Sequence, residues 1–307
     1  MTLTRRDAVL AGAAALALPA AAPRDPKEQF LAGIRKLERG IGGSGRIGLQ
    51  LIDPVTGRNA AYRSAERFPM CSTFKLLLVG QVLQRVDRGI DHLARQIAIP
   101  DKVLPNSPTT QNFTGGRLAV RDLCEAAMTR SDNSAANLLL DSVGGPAALT
   151  RFLRSTGDAV TRLDRYEQSL NDGTPGDPRD TTTPAAMLDT MRRLTFGRIL
   201  APASRKQLML WMANTVTGRD KIRKGLPSDW AVGDRTGAGG YNSNNDIALI
   251  WPAGRPPARP MFVTAFVTGG PGDDALARNV VHAEIGRMIV ELLGARLDFL
   301  RTAGNGL

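Results

Sequence analysis

Ser72 and Lys75, in the run Ser-Thr-Phe-Lys, are three residues apart and could serve as a nucleophile and its helper. If they begin a helix, they share one face of it, and the helix N-terminus places backbone N–H donors near the seryl oxygen. A lysine that is shielded from water and close to other cations can have its pKa lowered enough for proton transfer. Alone, this tetrapeptide decides nothing, because serine is common and lysine is frequent in helices.

Three further groups of residues could take part in the same chemistry. Ser131 begins a Ser-Asp-Asn run where one helical pattern gives way to the next, and Arg235 begins an Arg-Thr-Gly run that precedes a pair of predicted strands. Glu167 and Asn171 lie between them, inside a stretch from 162 to 183 that is rich in Asp, Gly and Pro. Loops of that length in compact domains are usually functional. The order S-x-x-K, S-D-N and K-T-G, here R-T-G, is typical of serine enzymes that recognise penicillins.

The hydrophobic pattern predicts the elements that must position these groups. Two strands are predicted near the N-terminus and two near the C-terminus, with helices between them. Strands at both ends imply one sheet made from distant segments, with the terminal helices packed on it and a helical subdomain inserted. The two parts would meet at a cleft, a common place for an active site. The predicted strands are 47–52, 59–63, 246–251 and 261–268, and the predicted helices are 26–40, 71–87, 120–131, 134–143, 146–156, 184–194, 202–214 and 274–293.

The composition is that of a folded globular chain, because 42% of its 307 residues are hydrophobic and 22% are charged. The formal net charge is +11, but the lysines and arginines are scattered and do not alternate with aromatic residues as stacking platforms would. After the first 25 residues, no apolar stretch has the length of a membrane helix. We therefore expect no nucleic-acid or membrane partner, and a positive field that could help capture anionic small molecules.

The N-terminus has the pattern of an export signal. Arg5 and Arg6 precede an apolar run from Ala8 to Leu18, and small residues end at Ala22, as in a cleavable signal peptide. The adjacent arginines favour the twin-arginine route, although an ordinary secretory signal also carries such charges. We predict that residues 1–22 are removed and that the mature chain, 23–307, is periplasmic or secreted.

Metal and cofactor chemistry find little support in the sequence. His92 and His282 are too few for a dizinc site and lack ligand spacing, and we expect both to be surface or packing residues. Cys71 and Cys124 could form a bridge in an oxidising compartment, but their spacing alone does not decide it. We predict no metal and no organic cofactor, and we expect a monomer because nothing indicates an oligomer.

With these motifs in this order, the chain resembles the class A serine β-lactamases over about residues 26–293. The resemblance implies an α+β fold, in which terminal helices flank an antiparallel five-stranded sheet and an all-helical subdomain is inserted. It implies one catalytic domain, 23–307, with an α/β part at about 23–65 and 215–307 and a helical part at about 66–214. The implied activity is hydrolysis of the β-lactam ring of penicillins and cephalosporins, which confers resistance to these antibiotics.

The resemblance also implies a role for each catalytic residue. Ser72 would be the acylated nucleophile, and Lys75 would assist removal of its proton. Whether Lys75 or Glu167, acting through water, is the base for acylation is disputed in the family. Ser131 would pass a proton to the departing lactam nitrogen. Glu167 and Asn171 would position the water that attacks the acyl-enzyme.

A second set of residues would bind the substrate. Asn133 would hold Lys75 and the amide of the substrate side chain. Arg235 and Thr236, in the run that ends at Gly237, would bind the substrate carboxylate together with Ser131. The backbone N–H groups of Ser72 and Ala238 would form the oxyanion hole. Two charged residues, Arg165 and Asp180, would clamp the ends of the long loop.

The chain departs from the family pattern at its predicted anion pocket. Arg235 stands where lysine is usual; arginine keeps the charge and can meet a carboxylate with two parallel N–H bonds. It resembles the carbenicillin-hydrolysing subgroup, which suggests penicillins with acidic side chains. Lys221 stands where some members have an arginine that faces the carboxylate, so we predict an auxiliary anion contact; a surface lysine before a strand is the alternative. Asn106 replaces a common aromatic gatekeeper.

The cysteines also depart from the family. One family disulfide would join Cys124 to the position of Val79, and another would join Cys71 to the position of Gly239. Each bridge lacks one partner here. We therefore expect two free thiols, with Cys71 packed behind the nucleophile rather than reacting.

Glu167 distinguishes three hypotheses that all acylate Ser72. A penicillin-binding DD-peptidase or related esterase would deacylate slowly, since penicillin-binding transpeptidases lack this base for water, and a non-catalytic β-lactam sensor would stay acylated. A β-lactam hydrolase would release the acyl group quickly. The Glu-x-x-x-Asn spacing from Glu167 to Asn171 favours the hydrolase.

Overall fold

The computed structural model describes residues 25–272 and 274–304. The helices are α1 (Pro26–Ile41), α2 (Phe74–Asp87), α3 (Val120–Arg130), α4 (Asn133–Val143), α5 (Gly145–Ser155), α6 (Pro184–Phe196), α7 (Pro202–Ala213) and α8 (Asn279–Gly304). The strands are β1 (Arg46–Ile52), β2 (Asn59–Tyr62), β3 (Phe68–Pro69), β4 (Gln96–Ala98), β5 (Arg117–Ala119), β6 (Thr181–Thr182), β7 (Ala231–Gly239), β8 (Ser243–Trp251) and β9 (Met261–Thr268).

Five of these strands form one antiparallel sheet in the order β2-β1-β9-β8-β7. The N-terminal hairpin therefore pairs with the C-terminal strands, and β7 lies at the outer edge. The helices from α2 to α7 are inserted between the two sets of strands. The predicted fold class, with its five-stranded sheet and inserted helical part, is confirmed.

Each face of the sheet packs against its own group of helices. Along β9, Val263 and Val267 enter a core with α1 and α8, whereas Phe262 and Phe266 enter a core with the inserted helices. This division follows from the alternation of side chains along a strand. Helix α2 is the centre of the second core, where every residue from Phe74 to Leu83 is buried. The nucleophile candidate therefore stands at the start of the most enclosed helix.

Two local predictions are wrong. The Arg-Thr-Gly run at Arg235 does not precede the strands but lies inside β7, whose three glycines and charged residues obscured the strand pattern. Pairing with β8 along all nine residues of β7 supplies what the local sequence lacks. The last helix begins at Asn279 rather than 274, after a 3-10 turn that Asp274 caps.

No helix within the described residues combines the length and the apolar character that crossing a membrane requires. The predicted signal peptide, residues 1–22, lies outside the described residues. The predicted domain boundaries near 65 and 215 stay a prediction.

Asp132 fixes the turn between α3 and α4 to the segment before α3. Helix α3 ends at Arg130, and the next residue, Ser131, has φ 62° in the left-handed region. The Asp132 carboxylate caps α4 by accepting from Ala135 N–H at 2.9 Å, and it also accepts from the N–H groups of Thr109 and Thr110 at 2.9 Å each. The carboxylate is fully buried, and its removal would leave the buried N–H groups of Thr110 and Ala135 without an acceptor.

We expect Asp132→Ala to lower the free energy of unfolding by roughly 3 kcal/mol, because it removes a helix cap and strands several buried donors. Urea denaturation measures this loss. Asp25→Ala is the matched control, because Asp25 caps α1 at an exposed site through Lys27 N–H, and it should cost about 1 kcal/mol or less. Equal losses in the two variants would contradict the anchoring role of Asp132.

Candidate functional site

Ser72 and Lys75 lie on one face of the chain where it enters α2. Ser72 is in a 3-10 turn, Cys71–Thr73, that runs directly into the helix. One turn further, Lys75 places its Nζ 3.0 Å from Ser72 Oγ, as the spacing of three residues predicts. Ser72 is 8% exposed and Lys75 is not exposed at all.

The Lys75 ammonium is enclosed by oxygen acceptors from three other segments. Its Nζ lies 2.9 Å from Ser131 O, 2.7 Å from Asn133 Oδ1 and 2.9 Å from Glu167 Oε1. Burial lowers the pKa of Lys75 to about 8, against the opposing effect of the Glu167 carboxylate. A lysine with such a pKa can exchange its proton near neutral pH.

Two cations converge on the hydroxyl oxygen of Ser131. Lys75 Nζ donates to it at 3.3 Å and Arg235 Nη2 donates to it at 2.5 Å. A serine hydroxyl has two acceptor lone pairs and one O–H donor. Because both lone pairs are occupied, the O–H proton of Ser131 is left to donate to a third group.

Glu167 links the nucleophile to Asn171. Ser72 Oγ donates to Glu167 Oε1 at 3.3 Å, and Asn171 Nδ2 donates to Glu167 Oε2 at 2.6 Å. Asn171 Oδ1 is buried and has no hydrogen-bond partner among the described protein atoms. A carboxylate and an amide oxygen in this arrangement can hold a water molecule beside the serine.

Asn137 was missed by the sequence analysis, and it fixes the position of Glu167. Its Oδ1 accepts from Glu167 N–H at 3.0 Å and its Nδ2 donates to Glu167 O at 3.0 Å. Asn137 follows Asn133 by four residues on α4, so both face the same side of the helix. The spacing of four residues from Asn133 was the signal in the sequence that could have identified Asn137.

The loop that carries Glu167 is held closed by one arginine. Arg165 Nε lies 2.6 Å from Asp180 Oδ2, and Arg165 Nη1 lies 2.6 Å from Asp172 Oδ2. Asp180 O also accepts from Met70 N–H at 2.9 Å, two residues before the nucleophile. The predicted clamp between Arg165 and Asp180 is therefore present. The Glu167–Gln168 peptide within the loop is cis.

Arg235 is the cation of the site that faces Ser131. It is fully buried, and its Nη1 lies 3.5 Å from Thr217 Oγ1, which in turn lies 2.6 Å from Thr236 Oγ1. Burial lowers the pKa of Arg235 to about 10, so it stays protonated at neutral pH. Thr217 was not predicted, because no motif in the sequence marks it.

Gly237 lets β7 approach the turn of the nucleophile. A Cβ at this position would lie 2.8 Å from Met70 O and 3.0 Å from Ser72 N, closer than side chains allow. The absence of a side chain brings the next residue, Ala238, beside Ser72. The structure thus brings together the segments whose N–H groups were predicted to form an oxyanion hole.

Lys221 is not the surface lysine that was considered as an alternative. It is 3% exposed, and its Nζ lies 2.6 Å from Asn244 Oδ1, 3.0 Å from Asn245 O and 3.5 Å from Gly237 O. The ammonium therefore lies among protein acceptors on strands β7 and β8.

Asn106 stands where a common aromatic gatekeeper was expected. Asn106 is exposed, and its carbonyl accepts from Asn133 N–H at 3.1 Å.

Cys71 and Cys124 are buried and free, so the prediction of two free thiols is confirmed. Burial raises the pKa of Cys71 to about 12, which disfavours its reactive thiolate.

Comparison with known proteins gives a consistent result. The family model described as the Beta-lactamase enzyme family matches residues 32–293. Beta-lactamase L2 of Stenotrophomonas maltophilia is 42% identical over 308 residues, which cover 96% of this chain and 100% of that protein. A crystal structure of a beta lactamase from Xanthomonas campestris is 47% identical with a TM-score of 0.83, covering 88% of this chain and 99% of that chain. An ancestral class A beta-lactamase is 52% identical with a TM-score of 0.80, covering 87% and 99%.

We expect Arg165→Met to open the loop at 162–183, because it leaves the buried Asp180 carboxylate unpaired at a cost of roughly 3 kcal/mol. Cleavage of this loop by thermolysin should become faster by about tenfold or more. Arg179→Met is the matched control, since Arg179 pairs with Asp177 in the same loop but its side chain is 52% exposed. Equal cleavage rates in the two variants would contradict the clamp.

Proposed function

The chain belongs to the class A serine β-lactamases and hydrolyses the β-lactam ring, and we propose that it opens penicillins and cephalosporins by acylation of Ser72. One observation carries the proposal: Ser72 Oγ lies 3.0 Å from Lys75 Nζ and 3.3 Å from Glu167 Oε1. A serine nucleophile needs a base within hydrogen-bond distance, and release of its ester needs a base for water. Both groups touch the same oxygen.

In acylation, Ser72 Oγ attacks the lactam carbonyl carbon and its proton passes to a neighbouring base. Neutral Lys75 can accept this proton directly, and Glu167 can accept it directly or through water. Lys75 Nζ and Glu167 Oε1 are 2.9 Å apart, so the proton can also pass between them. Lys75 therefore has the position for this step, and its lowered pKa makes the neutral amine accessible near neutral pH and predominant above about 8.

The lactam nitrogen leaves as the C–N bond breaks, and it needs a proton. Ser131 can give its hydroxyl proton to this nitrogen, because both of its lone pairs already accept from cations. Lys75 Nζ, at 3.3 Å from Ser131 Oγ, can replace the proton that Ser131 loses. The proton taken from Ser72 thereby reaches the leaving nitrogen.

Deacylation then uses the groups that lie beside Ser72 in the long loop. We assign Glu167 and Asn171 to the attacking water, with the Glu167 carboxylate taking its proton and Asn171 Oδ1 orienting it. The backbone N–H groups of Ser72 and Ala238 would stabilise the oxyanion in both steps; one such donor is typically worth about 3 kcal/mol. Water attack breaks the ester and returns the proton to Ser72 Oγ.

The substrate carboxylate is assigned to Arg235 and Thr236. Arg235 offers two parallel N–H donors for a carboxylate, and Thr217 fixes the hydroxyl of Thr236 at 2.6 Å. Asn133 is assigned to the side-chain amide of the substrate. This pocket suits penicillins and cephalosporins, which carry the carboxylate beside the ring nitrogen.

We further propose that residues 23–307 act as one monomeric catalytic unit that is exported. The proposal of export rests on the arginine pair at Arg5 and the apolar run that follows it. Fusing the first 30 residues to a reporter that folds before export would test the twin-arginine route.

We expect Glu167→Ala to be acylated by a chromogenic cephalosporin but to release the product very slowly, because no base remains for the water. Mass spectrometry of the intact protein should detect a stoichiometric adduct on Ser72. Glu125→Ala, at an exposed position on α3, is the matched control and should turn over normally. Unchanged steady-state turnover in Glu167→Ala would refute the assignment, and a single stoichiometric burst in the parent protein would refute hydrolysis.

Acylation should follow the titration of Lys75. In the parent protein, the single-turnover rate should rise with pH to a plateau with a midpoint near 8, where Lys75 loses its proton. The Glu167 carboxylate raises the pKa of Lys75, so in Glu167→Ala the midpoint should move to lower pH. Lys75→Arg keeps the charge but not the proton transfer, and it should acylate roughly 100-fold more slowly or worse. An unshifted midpoint in Glu167→Ala would argue against Lys75 as the proton acceptor.

A further inference from the structure

The acceptors around Lys221 leave it no donor for a substrate. A lysine ammonium has three N–H donors. The three acceptors of Lys221 are Asn244 Oδ1, Asn245 O and Gly237 O, at 2.6, 3.0 and 3.5 Å. The residue is 3% exposed. These contacts do not fit the auxiliary anion contact that its place in the sequence suggested.

One of these acceptors belongs to the peptide unit that ends in the Ala238 N–H. The carbonyl of Gly237 and the N–H of Ala238 share one planar peptide and point in opposite directions when it is trans. Lys221 approaches the carbonyl from the side of β8, through Asn245 and Asn244. The Ala238 N–H therefore points to the free edge of β7, where Ser72 lies.

The ammonium is itself held firmly from the far side of the sheet. Asn244 receives the Lys221 N–H on Oδ1, and its Nδ2 donates to Asn279 Oδ1 at 3.0 Å. The carbonyl of Asn244 lies 3.0 Å from Nε2 of His282, which is fully buried. Both of these partners are on α8, so the lysine is anchored to a helix that packs behind the sheet.

We propose that Lys221 is a positioning residue for the oxyanion hole: its ammonium orients the Gly237–Ala238 peptide and polarises it toward Ser72. A positive charge at the carbonyl end of a peptide strengthens its N–H as a donor, and this helps most when an oxyanion forms. Lysine suits the place because three converging acceptors match a compact ammonium better than a planar guanidinium. The inference rests on the proposed function, in which Ala238 N–H contacts the oxyanion.

The direct test is the carbonyl stretch of the acyl ester, trapped in a Glu167→Ala background and recorded by infrared difference spectroscopy. Adding Lys221→Met should move the band to higher frequency, because a weaker oxyanion hole polarises the ester less. Adding Lys221→Arg, which keeps the charge, should place the band between the two. Adding Lys224→Met should leave it unchanged, since Lys224 lies on the same turn but its side chain is 63% exposed.

A kinetic comparison separates this role from an anion contact. With Glu167 present, Lys221→Met should lower kcat about tenfold, for a penicillin and for its methyl ester alike. A rise in KM for the free acid alone, with an unmoved carbonyl band, would overturn the proposal in favour of an anion contact. An unmoved band with unchanged kcat would also overturn it. Absence of any ester in the Glu167→Ala protein would instead refute the proposed function of Ser72 and Glu167.

Discussion

Complete burial of the Lys75 ammonium removes it from water at a large desolvation cost. The oxygen acceptors that surround it offset this cost. The acceptors come from the turn after α3, from the first residue of α4 and from the long loop. Each of these segments is in turn fixed by its own contacts: Asp132 holds the turn and Asn137 holds the loop. Moving any of the segments would remove one of the acceptors of this buried charge. Because the buried ammonium of Lys75 needs these acceptors, the segments that supply them are held in place around Ser72.

The second constraint is the close approach of β7 to the turn of Ser72. Gly237 permits it sterically, and Asn245 strengthens it by donating to Pro69 O at 2.8 Å and Met70 O at 3.0 Å. The sheet and the inserted helices are therefore joined at the nucleophile itself. Two buried cations lie along this strand: Lys221 contacts the carbonyl of Gly237, and Arg235 contacts the hydroxyl of Ser131.

The sequence motifs predicted the candidate catalytic residues better than the hydrophobic pattern predicted the strands that position them. Ser72 and Lys75 could be paired from their spacing of three residues, whereas Ser131 and Glu167 were assigned from the order of motifs that resembles the family. β7 could not be found, because its stability comes from pairing with β8 rather than from strand-forming residues. The roles of Thr217 and Asn137 depend on contacts between distant segments, which no local pattern encodes. The burial of Lys221 was missed for the same reason, since a lysine that follows Gly218 and Asp220 has the local sequence of a surface turn.

The two ion pairs of Arg165 divide the long loop into nested parts. The pair with Asp172 closes a short inner segment that contains Glu167 and Asn171, and the pair with Asp180 closes the outer one. Residues 173–179 lie outside the inner segment, and a Cβ at Gly173 would lie 2.9 Å from Gly240 O in the β7–β8 connection. The inner segment meets the same connection, because Gly240 N–H donates to Asn171 O at 2.8 Å. A change in the β7–β8 connection would therefore act on the edge of the sheet and on the water-activating segment at once.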